Sequence, residues 1–153
     1  MTRDEILDFF AQQQRAWWAR DSEALAAGHA EESTLVSPIF GTLHGRAEAL
    51  SSYQALFRAF PDWTYKGEAL VIDGSQVVEP FTATATHVGS FMGMSGTGRT
   101  FEIHGVRLFE MRDGAIVAER RIYDFTGFLI QLGILRPKPA RPDSGEVSGS
   151  VRI

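Results

Sequence analysis

The stretch from Arg99 to Asp124, RTFEIHGVRLFEMRDGAIVAERRIYD, constrains this chain more than any other. It reads as two long strands joined at Arg112-Asp113-Gly114, since alternating side chains flank a turn-forming Asp-Gly pair. One alternating set of the first strand is Phe101, Ile103, Gly105, Arg107, Phe109 and Met111. All but Arg107 are apolar or glycine. A cation in the middle of an apolar stripe implies a carboxylate partner, a wet pocket or a substrate, because burying an unpaired charge is costly.

The segments before the hairpin have a different period. Thr2 to about Arg20 reads as an amphipathic helix with Ile6, Phe9, Phe10, Gln13 and Trp17 near helical spacing, and Thr2 with Glu5 fits a capping box. A second short helix runs from Asp21-Ser22 through about His29, and Glu31 to Ser33 breaks it. Thr34 to Ser37 is a short strand, and Pro38 to Gly45 a loop or ragged strand. Gly45 to Phe60 is the third helix, ended by Pro61-Asp62. The period then becomes two. Trp63 to Ile72 and Gln76 to Val88 read as strands, and Pro80 implies an edge position or a bulge. Gly89 to Gly98 is a glycine-rich connection without a phosphate-loop lysine, read as a flexible rim or lid. A short helix near Gly127 to Leu132 follows the hairpin. Helices first and strands last give an α+β class. We expect a cone-shaped curved antiparallel sheet wrapped around the N-terminal helices, with an internal pocket.

Composition narrows the partners. The chain has 153 residues, enough for one domain that buries roughly 70% of its unfolded surface. We expect a single domain over 1–135 and a disordered tail over 136–153, which holds three prolines, three serines and few apolar residues. Net charge is −4, and the tail carries four cations and two anions, so the body before it is more acidic still, which argues against nucleic acid. There is no cysteine, so disulfides and thiolate metal sites are excluded. The N-terminus has acids where a signal peptide needs a basic start, and no apolar run reaches the ~18 residues of a membrane span. The expectation is a cytoplasmic protein with no membrane partner.

Several motifs taken together carry a resemblance. They are HGRAEAL at the third helix, FPDW at its end, THVGSFMGMSGTGR, RDGAIV and the closing YDFTGFLIQLG. With these the chain resembles the SnoaL-like polyketide cyclases over roughly residues 3–135. That family lies in the nuclear-transport-factor-2-like superfamily, the α+β cone of ketosteroid isomerase and scytalone dehydratase. The resemblance implies a cofactor-independent enzyme, a homodimer formed through the open sheet face, and a set of pocket positions. The anthracycline cyclases of the family close a ring by an intramolecular aldol reaction, with an aspartate as acid/base. Its position here is Arg121. The family's pocket histidine and glutamine fall on Arg107 and Gly105, its first-helix aromatic on Trp17, and its two asparagines on Ser37 and Ser52.

The hairpin register then decides what faces the pocket. A two-residue Asp-Gly loop sets Arg107 opposite Arg120, a like-charge clash. A three-residue loop with Gly114 left-handed and a bulge sets Arg107 opposite Glu119 and Arg121 opposite Gly105. Apolar bookkeeping mildly favours the first. The charges and the resemblance favour the second, which we adopt.

The expected cluster is Arg107, Glu119, Arg121 and Tyr123 on an apolar wall, with Glu119 a candidate general base and the arginines holding a carboxylate or an enolate oxygen. The plainer alternative is that Arg107 and Glu119 satisfy each other in the sheet, or face solvent or a dimer partner. Asp124 reads as a pocket acid or as the cap of the last helix. His87 shares its alternation with Phe81, Ala83 and Ala85, and reads as a hydrogen-bonded core histidine or a catalytic one. His104 belongs to a polar set, while His29 and His44 lie at a helix end and in a loop. The four histidines lack ligand spacing, so no metal is expected. Trp17, Trp18 and Tyr53 are core residues that line the pocket if the core is hollow.

The function expected from these residues and the resemblance is cofactor-independent acid/base chemistry on a hydrophobic oxygenated small molecule, such as a polyketide or terpenoid intermediate. The step would be cyclisation, isomerisation or dehydration. Two alternatives stay open. One is epoxide opening, since limonene epoxide hydrolases use an Asp-Arg-Asp set in a related cone. The other is a non-catalytic binding module for an acidic ligand.

Overall fold

The computed structural model describes residues 1–136 and 138, so the expectation of a disordered tail falls almost wholly outside the described residues. Helix α1 (Arg3–Ala19) starts at the capping box: Thr2 Oγ1 accepts from the Glu5 amide at 3.2 Å, and the Glu5 carboxylate accepts from the Thr2 amide at 2.6 Å. Its buried face is Ile6, Phe10, Gln13, Ala16 and Trp17, so Trp17 points inward and Trp18 outward, 64% exposed. Helix α2 (Ser22–Ala27) is shorter than the sequence implies. It stops at Gly28, where a Cβ would strike the Gln13 amide, and His29 already opens strand β1 (His29–Ser37). Glu31 to Ser33 therefore lie within a strand and not in a break.

Strand β2 (Gly41–His44), helix α3 (Gly45–Ala59), strands β3 (Thr64–Gly67), β4 (Val71–Asp73), β5 (Gln76–Thr86), β6 (Thr100–Arg112) and β7 (Ala115–Tyr123), and helix α4 (Phe125–Gln131) complete the order. The strands form one curved sheet, β2-β1-β7-β6-β5-β3, with β4 also on β5. Every pairing is antiparallel except β1 with β7, which is parallel. The helices and the inward alternation sets enclose the core, giving the expected α+β cone. The expected strand Trp63 to Ile72 is split in two. Pro80 explains the split: β5 is an interior strand, and the Pro80 carbonyl accepts from the Glu68 amide at 2.8 Å beyond the end of β3. Its missing N–H faces the gap between β3 and β4, where no ladder bond is needed.

The hairpin corrects the register. Asp113 and Gly114 take φ of 50° and 80°, a two-residue turn of the I′ kind. Met111 pairs with Ile116 and Glu110 with Ala118, so Val117 is the extra residue of a bulge. Beyond it Phe109 lies opposite Glu119, Arg107 opposite Arg121 and Gly105 opposite Tyr123. Neither register considered above is the observed one. The two-residue loop holds at the tip, and the bulge then switches β7 from the set of Ile116 to the set of Glu119, Arg121 and Tyr123. The space above Gly105 is filled by the Phe81 ring, not by Arg121.

Candidate functional site

Five of the seven strands and two helices contribute to one polar cluster inside an aromatic core. Arg107 and Arg121 lie directly opposite, a repulsive arrangement that Glu119 resolves. One Glu119 oxygen accepts from Arg107 Nε at 2.8 Å and from Arg121 Nε at 2.6 Å. Arg107 also stacks over Phe109, Tyr65 and Trp17, with its guanidinium carbon 4.6, 5.4 and 5.5 Å from the ring centres. Arg121 Nη2 donates to the Tyr53 hydroxyl at 2.9 Å, and the Tyr53 hydroxyl lies 3.2 Å from His29 Nε2. His29 is fully buried, 3.5 Å from the second Glu119 oxygen.

A second carboxylate completes the set. Glu79 on β5 accepts from the Tyr65 hydroxyl at 2.6 Å and from Arg107 Nη1 at 3.3 Å. Arg107 Nη1 is also 3.2 Å from the Tyr65 oxygen. The cluster thus holds two guanidiniums and two carboxylates. Burial pushes the His29 imidazole down to about 4, so His29 is neutral. Burial alone would raise the Glu119 carboxyl, but Arg107, Arg121 and their hydrogen bonds together hold it far below the usual carboxylate range. At Glu79 burial wins over its single arginine contact and the carboxyl is pushed up. Burial likewise raises the Tyr65 phenol well above its ordinary value.

The cluster borders a cavity of about 30 Å³ walled by Trp17, Ser37, Ile39, Phe40, Leu56, Trp63, Tyr65, Phe81, Ile103, Arg107, Arg121 and Tyr123. Three donors of these walls, Trp17 Nε1, Trp63 Nε1 and Arg107 Nη2, are buried with no hydrogen-bond partner among the described residues. An apolar cavity edged by guanidinium and indole N–H groups can hold an oxygen on which negative charge develops.

Of the residues singled out from the sequence, Trp17, Ser37, Arg107, Arg121 and Tyr123 line this cavity. Glu119 and Tyr53 stand behind the arginines, touching them but not the cavity. The others lie apart. Trp18 is on the outer face of α1. Ser52 donates to the Ala49 carbonyl at 2.7 Å within α3, and Gly105 is covered by Phe81. Asp124 is exposed and caps α4, accepting from the Gly127 amide at 2.8 Å. His87 is buried against Phe60 and Phe91, with Nδ1 within reach of the Thr97 amide and hydroxyl at 3.3 and 3.2 Å. Tyr65, Glu79 and His29 were not anticipated from the sequence. Glu79 had a signal, since it sits two residues before Phe81 in the inward set that ends at His87.

The model for SnoaL-like polyketide cyclases matches residues 8–132. This chain belongs to that family. Among solved structures, IdmH from Streptomyces antibioticus is 31% identical, with 82% of this chain and 96% of that chain covered and a TM-score of 0.69. AclR from Streptomyces galilaeus is 23% identical, with 88% and 100% covered and a TM-score of 0.76. TerC, co-crystallised with polyporic acid, is 19% identical, with 84% and 98% covered and a TM-score of 0.70. The two below 25% identity show the shared fold, the open curved sheet with its N-terminal helices. No curated protein matches the chain. Among the described residues no helix is long and apolar enough to cross a membrane.

Proposed function

We propose that this family member is a cofactor-independent enzyme that moves a proton on a hydrophobic, oxygenated small molecule of the polyketide or terpenoid kind. Family and fold support a cyclase or isomerase in general terms. IdmH, described as a candidate polyketide cyclase, and TerC, co-crystallised with polyporic acid, make an oxygenated hydrophobic ligand the natural first choice. The observation that carries the reading is the pair of guanidiniums held against an apolar cavity by one buried carboxylate. Arg121, standing where the resemblance puts the cyclase aspartate, has two of its three nitrogens committed to Glu119 and Tyr53. The third is left to polarise a substrate carbonyl. Glu119, shielded from the cavity and strongly anionic, orients the arginines and is a poor proton acceptor.

The experiment is deuterium exchange at the α-carbon of a panel of hydrophobic 1,3-dicarbonyl compounds, followed by NMR. The wild-type protein should accelerate exchange for part of the panel, and Arg121→Gln should lose a factor of roughly 10² or more. Ligands that bind and are recovered without exchange would leave a binding module. Epoxide opening remains a second reading because Arg107 stands between two carboxylates, Glu79 and Glu119. Label from ¹⁸O-water should then appear in a diol, and an unlabelled product excludes that route.

A further inference from the structure

The proton-transfer reading above leaves Glu79 without a task, and its surroundings give it one. Glu79 is 5% exposed and Tyr65 3%. The Tyr65 ring is clamped between Trp17, stacked at 4.5 Å, and Phe81, stacked at 5.1 Å, so its hydroxyl stays on Glu79. Gly67 lies so close to the other Glu79 oxygen that a Cβ there would strike it, so the glycine leaves the room the carboxylate occupies. Tyr65 lines the cavity and Glu79 does not. Two carboxylates therefore share Arg107 but differ in environment. Glu119 has two arginines on one oxygen, whereas Glu79 has a phenol at 2.6 Å and one guanidinium contact at 3.3 Å. When buried acids are pushed apart in this way, one stays ionised and the other trades protons.

We propose that Tyr65 and Glu79 are the proton-transfer arm of this site, with Tyr65 touching the substrate and Glu79 holding the proton behind it. The inference rests on the proton-transfer reading. The substrate C–H bond breaks and its electron pair moves onto the adjacent carbonyl oxygen. The Tyr65 oxygen takes the proton while its own passes to the Glu79 oxygen bonded to it. The new oxyanion meets Arg121 and the unpartnered Nη2 of Arg107. No group is oxidised or reduced. The proton returns by the same path to the new bond's oxygen or carbon. Charge favours this acceptor: before the step two arginines balance Glu79 and Glu119, and after it they balance Glu119 and the oxyanion. A closed, weakly polarisable site thus never carries a net charge.

The test uses p-nitrophenol, whose absorbance reports its own ionisation. At a pH where the free probe is protonated, the wild-type protein should bind it as the phenolate with no proton released to solution, because Glu79 takes it up. Glu79→Gln and Tyr65→Phe should each lower the bound phenolate fraction about tenfold, and Glu79→Asp should restore part of it. Release of the proton to solvent, or an unchanged phenolate fraction in Glu79→Gln, overturns the proposal. If only Arg121→Gln loses the phenolate, the oxyanion reading stands and this inference falls. If the wild-type protein binds no phenolate at all, both fall. Should Glu79→Gln not fold, wild-type protein labelled with ¹³C-carboxyl glutamate decides: one glutamate carboxyl must gain a proton when the probe binds, and no change overturns the assignment.

Discussion

Replacing Glu119 by Gln keeps the shape of the side chain and removes the one charge that lets Arg107 and Arg121 face each other. The two guanidiniums would then be buried side by side with only Glu79 at 3.3 Å from one of them. Breaking a buried ion pair from one side costs about 3–5 kcal/mol, and that loss should appear as a lowered urea midpoint with an unchanged slope. His29 gives the complementary prediction. Its folded value is about 4, against about 6.5 in the unfolded chain, so the unfolded state binds more protons between these limits. Stability should fall as pH drops from about 6.5 to 4, by about 3 kcal/mol in all, and His29→Gln should flatten that part of the profile. Glu79 has the opposite sign: its raised carboxyl makes burial least costly at low pH. Residues of this kind are unequally legible. Arg107 announces itself as a cation in an apolar stripe, and Glu79 is visible by the same criterion one strand earlier. His29 is not, because its burial depends on where α2 stops, and a Gly28 contact with Gln13 from another helix decides that.

At the scale of elements, the hairpin shows why charge pairing is a poor guide to register. Opposed arginines look forbidden when only direct neighbours are compared. A carboxylate two residues along the same strand reaches both, and one bulged residue, Val117, brings it to the inner face. The Asp-Gly pair favours the two-residue tip that is observed, but no local pattern places the bulge, so a register argued from charge selects a three-residue loop instead. Gly114 sits at φ 80°, so Gly114→Ala should cost about 1–2 kcal/mol of stability, read by thermal melting, without moving probe binding at the distant cluster. Asp124 offers a sharper contrast between two readings of one residue. As a cap it should lose about 1 kcal/mol on replacement by Ala, and Asp124→Asn should retain most of that. A pocket acid would instead lose turnover in both variants, and α-proton exchange by Asp124→Asn measures which holds.

For the whole molecule, element order made the α+β cone legible, because the long antiparallel strands β5, β6 and β7 follow three helices and each has one apolar set. Whether the cone is hollow is a property of all its walls at once and has no local signature. The described cavity, about 30 Å³, has room for roughly two waters, far from the roughly 300 Å³ or more of a ligand site. A substrate must therefore open it. Trp17, Leu56, Trp63, Tyr65, Phe81 and Ile103 are buried walls. Ile39 and Phe40 are half-exposed, in the short turn between β1 and β2, where the Phe40 amide donates to Ser37 Oγ at 3.1 Å. That turn packs against the core but is less buried than those apolar walls, which makes it the cheapest wall to move. Phe40→Ala should raise the association rate of p-nitrophenol in stopped-flow absorbance while changing stability by no more than about 1 kcal/mol. An unchanged association rate would place the entrance elsewhere, and the glycine-rich segment from Gly89 to Gly98, with Phe91 buried against Phe60 and Phe128, is then the wall to loosen next.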